Sequence, residues 1–209
     1  MSICRLAFTG LLISALAVHA DEPAAVPLAA PAGWGGETIS LPPGFAKDMS
    51  FKGVERIRFA PGMMKPESDT FFCYAFAFEL QDKPKLTQET VRAEFLKYYR
   101  GLCVAVLNGA KPTLDPKEFT CDLERVKPKE AISSDDESAE LIRYTGTIKW
   151  VEPFATKKPQ TLNLEIQTWT IGDRNLLFAC VSPKGKDAAI WKQLRKIRDD
   201  YVKRKRAGE

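Results

Sequence analysis

The sequence of 209 residues predicts a single α+β domain with a mostly antiparallel sheet of about six or seven strands and two helices, in the order βββαββββα. Apolar residues alternate in several short runs that turn residues separate, as expected for strands. Two other segments repeat apolar residues every three or four positions, which is typical of amphipathic helices. Hairpin-connected runs of strands, interrupted by single helices, favour a mostly antiparallel sheet.

The first twenty residues have the features of a secretory signal peptide. Arg5 supplies the positive charge, residues 6–18 form an apolar run, and residues 18–20 (VHA) match the small-residue cleavage pattern. We expect cleavage after Ala20, then an Ala- and Pro-rich flexible leader over residues 21–33 and one domain over residues 34–209. The protein is therefore expected to be exported, to the periplasm or outside the cell, and not to be transmembrane after cleavage.

Three strands are predicted at the start of the domain. Residues 37–41 and 54–59 are short, and a Pro-Gly pair after the second has the sequence of a type II turn. Residues 70–80 form the strongest strand, with large apolar side chains on one face and mainly Ala and Cys on the other. Because both faces are apolar, this strand is expected to be central, with a helix close to its face of small residues.

A helix is predicted next, from an N-cap at Thr87 to a stop at Asn108-Gly109. Four strands should follow, of which the last two form a hairpin around Gly172-Asp173. This register places Ile166 opposite Ala179. The final predicted helix covers residues 187–205 and carries one apolar stripe.

The segment Gly53–Met63 (GVERIRFAPGM), together with the aromatic strand after it, resembles an uncharacterised family of exported bacterial proteins. The resemblance extends over most of the chain from Trp34 to the last helix. Its motif is a strand and a turn. It therefore implies an exported bacterial domain, and it implies no activity and no site.

Histidine is absent from the chain once the predicted signal peptide is removed, because the single histidine is His19. A chain without histidine cannot form a Ser-His-Asp triad, a Cys-His pair or a His-ligated metal site. The sequence also lacks phosphate-binding glycine loops and dinucleotide fingerprints. No cofactor, no metal and no nucleic-acid partner are expected, and no residue is assigned a catalytic role.

Four cysteines remain after the predicted cleavage, namely Cys73, Cys103, Cys121 and Cys180. In an oxidising compartment an even number indicates disulfides, and four cysteines allow three connectivities. If the first helix packs on the small-residue face of the strongest strand, Cys73 and Cys103 lie at nearly equal heights. We therefore predict a Cys73–Cys103 bridge with Cys121–Cys180 as its complement. The alternative is four buried thiols that pack as small apolar side chains.

Positive charge is concentrated near the C-terminus, where residues 184–206 hold ten Lys and Arg against three Asp. The run Lys203, Arg204, Lys205 and Arg206 is a candidate docking face for an anionic surface or polymer. The alternative is a solvated helix end, where cations suit the negative end of the helix dipole.

Arg143, Lys149, Glu165 and Trp169 are predicted to share a polar sheet face that a partner contacts. Glu165 is also expected to form a cross-strand pair with Lys149 or Arg143. The alternative, which is the more common one for such a Trp, is that Trp169 packs under a second layer of the domain.

Scattered carboxylates are the candidates for chemistry that needs no histidine. They are Glu67 and Asp69 before the strongest strand, Glu165, and the acidic loop of residues 133–138 with Asp135, Asp136 and Glu137. The loop lacks the spacing of a calcium site and suits a solvated connection.

Together these observations favour a non-enzymatic exported binding or interaction module of unknown ligand. Two alternatives are a His-independent hydrolase with a carboxylate pair, of the glycosidase type, and a carrier of apolar ligands. A hydrolase needs two carboxylates that converge in a cleft. A carrier needs an apolar cavity, which a sheet that curls around a helix can leave.

Overall fold

The computed structural model describes residues 28–127 and 141–208. Its elements follow the order βββαββββα and form one sheet of seven antiparallel strands with two helices, which confirms the predicted fold class. The predicted signal peptide, residues 21–27 of the predicted leader and the acidic loop of residues 133–138 lie outside the described residues.

All neighbouring strands of the sheet pair antiparallel, in the spatial order β1-β2-β3-β7-β6-β5-β4. The strands are β1 (Gly35–Leu41), β2 (Gly53–Phe59), β3 (Tyr74–Leu80), β4 (Thr120–Arg125), β5 (Ile142–Val151), β6 (Pro159–Ile171) and β7 (Arg174–Ser182). The helices are α1 (Gln88–Leu107) and α2 (Ala189–Arg206), and a short 3-10 helix covers Pro116–Glu118. The sheet thus consists of two meanders, β1–β3 and β4–β7, that join where β3 pairs with β7.

Helix α1 covers the sheet face that carries the large aromatic side chains of β3. Phe76 and Phe78 of β3 meet Phe95 and Tyr98 of α1, with ring centroids 5.7 to 6.4 Å apart. Aromatic side chains bury large areas and gain further from tilted and edge-on contacts. This side therefore holds the larger part of the core.

Helix α2 covers the opposite face, where Ala75 and Ala77 of β3 and the preceding Cys73 lie. The predicted apolar stripe of this helix, which includes Leu194 and Tyr201, is buried there. A helix does approach the face of small residues closely, as predicted. That helix is α2, however, and not α1, because α1 packs on the aromatic face.

Both predicted disulfides are therefore wrong. Cys73 and Cys180 lie in the core under α2, whereas Cys103 and Cys121 lie in the core under α1, so each predicted pair is separated by the sheet. A bridge needs two Cα atoms within about 7 Å and side chains that face each other. All four thiols are free and buried, which agrees with the alternative of cysteines packed as small apolar residues.

Several local predictions are confirmed. Thr87 caps α1 and its hydroxyl accepts a hydrogen bond from the Thr90 N–H at 3.2 Å. Asn108 ends the helix in the left-handed conformation, with φ of 45°. The β6–β7 hairpin has the predicted register, with Ile166 opposite Ala179.

The segment of residues 60–73, which we call the turn segment, differs from the prediction. Consecutive turns hold it, and β3 begins at Tyr74 and not at residue 70. Phe72 adopts a left-handed conformation with φ of 53°, so the alternation of residues 70–73 does not continue the strand. Gly62, with φ of 84°, confirms the predicted type II turn at the start of this segment.

The described part of the predicted flexible leader is packed against the domain. Leu28 lies in the core under α2 with 1% of its surface exposed, and its carbonyl accepts a hydrogen bond from Arg58 Nε at 2.6 Å. Ala30 and Trp34 pack against the same core. Residues 28–33 therefore do not fit the prediction of a flexible leader.

The cysteine arrangement makes a direct prediction. Alkylation of the purified protein in denaturant without reductant should modify all four thiols, because all four are free. Alkylation of the native protein should be slow, because each thiol is buried. Intact mass, with a reduced sample as the control, measures both. A chain that gains two or four alkyl groups only after reduction would contradict this arrangement.

Candidate functional site

A pocket of about 540 Å³ opens on the α1 side of the sheet, beside β1 and β2. Its lining is mainly apolar and includes Ile39, Ile57, Phe59, Met63, Phe72 and Tyr98. This volume lies within the range of small-molecule sites, which are usually concave and largely apolar with few polar groups. We call it the apolar pocket.

The position of α1 explains why the pocket forms. The helix contacts β4 and β5 on its side of the sheet, which leaves space above β1 and β2. Phe45, in the connection between those two strands, closes part of this space and packs edge-on against Tyr98 with centroids 5.1 Å apart. The turn segment and the β5–β6 connection complete the walls with Met64 and Phe154, which are exposed at the rim.

Two local features hold these walls. The left-handed Phe72 donates its N–H to the Met63 carbonyl at 3.0 Å, and its ring packs on Trp150 with centroids 5.2 Å apart. The buried Glu152 carboxylate accepts the N–H of Phe154 at 2.6 Å and so holds the loop that carries this ring. A bulky residue with positive φ stores strain that the surrounding packing must offset, and such residues cluster at functional sites.

A buried carboxyl group, Glu55 of β2, lies beneath the apolar pocket. Its side chain has no exposed surface, Tyr98 Oη donates to Oε1 at 3.1 Å, and Oε2 has no hydrogen-bond partner. Burial raises the pKa of Glu55 to about 8, the hydrogen bond from Tyr98 opposes this shift, and the negative charge of Glu37 adds to it. Glu55 is therefore mostly protonated at pH 7.

The tyrosine hydroxyls near Glu55 remain neutral. Burial is the main cause that raises the pKa of both Tyr74 and Tyr98 well above its usual range. Tyr74 Oη shares a hydrogen bond with Tyr99 Oη at 2.5 Å. The apolar pocket thus has two tyrosines in its lining that can exchange hydrogen bonds but carry no charge.

A second concavity, of about 450 Å³, lies on the α2 side and is polar. Three of the predicted partner-binding residues, Arg143, Lys203 and Arg206, line it together with Gln167 and Asp199. With its amide oxygen directed to the two arginines, the buried Gln167 accepts hydrogen bonds from Arg143 Nε at 3.2 Å and from Arg198 Nε at 3.3 Å. We call this site the cationic cleft.

Trp169 and Glu165, two other residues of the predicted polar sheet face, are held under or against α2. Trp169 is only 2% exposed, in the core under α2. Glu165 forms ion pairs with Arg195 at 2.6 Å and Arg198 at 3.0 Å, so the predicted pairing with Lys149 or Arg143 is wrong. Burial acts to raise the pKa of Glu165, but these arginines lower it overall. Lys149 is exposed and does not line the cationic cleft.

The predicted cationic run at the end of α2 divides into two groups. Lys203 and Arg206 are exposed and line the cationic cleft. Lys205 is mostly buried, pairs with Glu79 at 3.3 Å and lies over the Tyr201 ring, so it stabilises the packing of α2. Arg204 is half-buried and is absent from the lining of the cleft.

The predicted carboxylates do not converge in the described part of the chain. Glu67 is exposed, and Asp69, also exposed, pairs with Lys184 at 3.6 Å. Within residues 28–127 and 141–208, no group of three or more acidic or Cys side chains is placed to hold a metal ion. No helix described in these ranges has the length and apolar character needed to cross a membrane.

Sequence reasoning allowed for an apolar cavity but missed Glu55 and the residues that line the pocket. The signal was present, because Glu55 lies on the same strand face as Ile57 and Phe59, where alternation predicts a buried side chain. A carboxyl group at an apolar position of a strand indicates either a partner across the sheet or a group with a shifted pKa.

The stability of the protein should fall as pH rises from about 5 to about 8. The unfolded chain releases the Glu55 proton near the ordinary carboxyl pKa of 4.5 and the folded chain near 8, so stability that is complete at low pH is lost through this window. Each unit of pKa shift corresponds to about 1.4 kcal/mol, so the free energy of unfolding should fall by at most about 5 kcal/mol. Glu55→Gln cannot ionise and should lack this loss, as measured by urea unfolding at several pH values.

Glu94→Gln is the matched control. Burial acts to raise the pKa of Glu94, but hydrogen bonds from Lys97 and Ser50 lower it overall. The stability that ionised Glu94 contributes is lost only in acid, below its unfolded pKa. The Glu94→Gln protein should therefore show the same fall in the free energy of unfolding between pH 5 and 8 as the unmodified protein. A Glu55→Gln protein with the same slope as the unmodified one would show that Glu55 ionises normally.

No family model, no curated protein and no solved structure matches this chain. The resemblance to exported bacterial proteins therefore stays a prediction. The functional argument depends on the geometry of the apolar pocket and of the cationic cleft.

Proposed function

We propose that this protein is a non-enzymatic binding protein that holds an apolar small molecule in the apolar pocket. The observation that carries this proposal is the half-enclosed space of about 540 Å³ with an aliphatic and aromatic lining. Filling such a space removes apolar surface of both ligand and protein from water, at about 25 cal/mol per Å². The exposed rim residues Met64 and Phe154 extend the apolar surface towards solvent.

The polar groups near the pocket favour binding over hydrolysis. A carboxylate hydrolase needs an acid and a second carboxylate that both reach the substrate bond. Glu55 is fully buried behind the lining and Glu37 is exposed at the rim, so the two do not flank one open cleft. The carboxylates predicted for hydrolysis from the sequence, Glu67, Asp69 and Glu165, are not among the lining residues.

Export to the periplasm or outside the cell is part of the proposal. It is supported by the positive charge, apolar run and cleavage pattern of residues 1–20. A binding protein in that location would hold a ligand that is poorly soluble in the surrounding water.

Gly35→Phe should abolish binding of a neutral fluorescent apolar probe, such as phenylnaphthylamine. Gly35 lines the pocket, and a Cβ built there meets only Phe59, at 3.9 Å, which is ordinary van der Waals contact, so the backbone accepts a side chain at this position of the lining. Gly44→Phe is the control, because a Cβ there has open space around it and Gly44 does not line the pocket. Fluorescence titration measures the affinity. Equal probe binding by both variants would place the probe elsewhere and refute the pocket.

A second function is favoured by the convergence of Arg143, Lys203 and Arg206 on one cleft. We propose that the cationic cleft docks the protein on an anionic lipid surface. A single concavity of about 450 Å³ suits one headgroup better than it suits a polymer, which needs an extended row of cations. Cations near an anionic membrane contribute about 1 kcal/mol each, and salt screens them.

Lys203→Glu should lower the affinity for vesicles that contain phosphatidylglycerol by about tenfold, because it removes one cation and adds a repulsive charge. Lys149→Glu is the control, since Lys149 is exposed and lies outside the cleft. Sedimentation with vesicles at low and high salt measures the difference. Equal losses in the two variants would mean that net charge alone drives binding. Binding to heparin but not to vesicles would identify an acidic polymer as the partner.

A further inference from the structure

Glu55 lies next to residues that line the apolar pocket. Its cross-strand partner on β1 is Ile39, and Ile57 lies two residues along on the same face of β2, and both isoleucines line the pocket. Tyr98, which belongs to the lining, donates its hydroxyl to this carboxyl group. Glu55 is thus connected to a lining residue by one hydrogen bond.

The hydrogen bonds of this group are incomplete. Tyr98 Oη donates to Oε1 of Glu55 at 3.1 Å, so the tyrosine oxygen has only lone pairs left to present to a ligand. Oε2 of Glu55 is buried and has no partner at all. Native proteins leave few buried polar atoms without a partner, and each such atom needs an explanation. When Glu55 is ionised, Oε2 therefore lacks a donor.

Electrostatics decide which donor fits. Glu55 has no ion-pair partner among the described residues, and Glu37 places a second carboxylate at the rim of the pocket. The rings of Phe72 and Tyr98 add aromatic faces, which attract cations. The opposing charge in the lining is Lys65, which is exposed at the rim. Once Glu55 is ionised, its charge therefore favours a positive group over a neutral one.

We propose that the ligand of the apolar pocket is a hydrophobic amine, with its apolar body in the pocket and its ammonium group directed to Tyr98 and Glu55. This inference rests on the proposed function, because it needs the pocket to hold a ligand. The ammonium N–H groups donate to Tyr98 Oη, and the ionised carboxylate of Glu55, which accepts the hydrogen bond of that hydroxyl, supplies the opposite charge.

The proton balance of binding follows from the state of Glu55. The carboxyl group is mostly protonated at pH 7 before the ligand enters, whereas an aliphatic amine arrives as its ammonium ion. The ion pair forms when Glu55 loses its proton to the buffer and the ammonium ion keeps its own. Binding of the amine at pH 7 should therefore release up to one proton per ligand, and binding of a neutral ligand should release none.

The test compares phenylbutylamine with phenylbutanol, which have the same apolar body and differ only in the polar end. Isothermal titration of the full chain at pH 7, in two buffers with different ionisation heats, measures both affinity and proton release. We expect the amine to bind at least about tenfold more tightly than the alcohol, with proton release for the amine only.

Two variants connect this preference to its residues. In Glu55→Gln the preference for the amine over the alcohol should fall to near one, with no proton release. Tyr98→Phe keeps the ring but removes the hydroxyl, and it should also reduce the preference, which provides a second test if the first variant does not fold. Glu94→Gln, which changes a carboxyl group that does not line the pocket, should retain the preference.

The outcomes separate the two levels of the proposal. Equal affinity for amine and alcohol, or an unchanged preference in Glu55→Gln, would overturn the amine assignment and leave the pocket as a site for neutral apolar ligands. No binding of either compound, together with no binding of the neutral fluorescent probe, would overturn the proposed function itself.

Discussion

A sheet that is apolar on both faces must be covered on both faces, and β3 determines how the two covers differ. Its aromatic side requires a partner layer with large side chains, which α1 supplies through Phe95 and Tyr98. Its other side is shallow, with Ala75 and Ala77, and lets α2 lie close to the backbone. The two cores, the separation of the cysteines and the burial of Trp169 all follow from this arrangement.

The same arrangement explains where the apolar pocket lies. One helix cannot cover all seven strands of its face, and α1 lies over β4 and β5. The strands at the opposite edge, β1 and β2, are covered by connecting segments, whose irregular path packs less completely than a helix does. Glu55 belongs to this less regular region, where a carboxyl group can be buried beside a cavity and not within a fully packed core.

Local features of the fold could be predicted from the sequence because local chemistry determines them. Thr87 and Asn108 delimit α1 through their own hydrogen bonds and dihedral angles, and the Gly172-Asp173 turn sets the register of the last hairpin. The choice of face for each helix could not be predicted in this way, because alternation shows that β3 has two apolar faces and does not show which helix covers which one.

The candidate sites were predictable only in part, for a similar reason. Lys203 and Arg206 stood out as part of a charged run, but their meeting with Arg143 depends on how α2 crosses the start of β5. Glu165 and Lys205 carried the same kind of signal, yet each is held by an ion pair that involves α2. The charged residues of the sequence therefore indicated the α2 side of the sheet. They did not show which side chains line the cationic cleft and which ones hold α2 in place.

The join between the two meanders has a consequence for biosynthesis. β3 is made early and β7 late, so one edge of β3 has no neighbour until most of the chain exists. The segment of residues 74–80 (YAFAFEL) is rich in aromatic residues and has one charge, which makes its open edge a template for wrong pairing with other chains. Nascent copies of this polypeptide should therefore depend on holding chaperones until the second meander arrives.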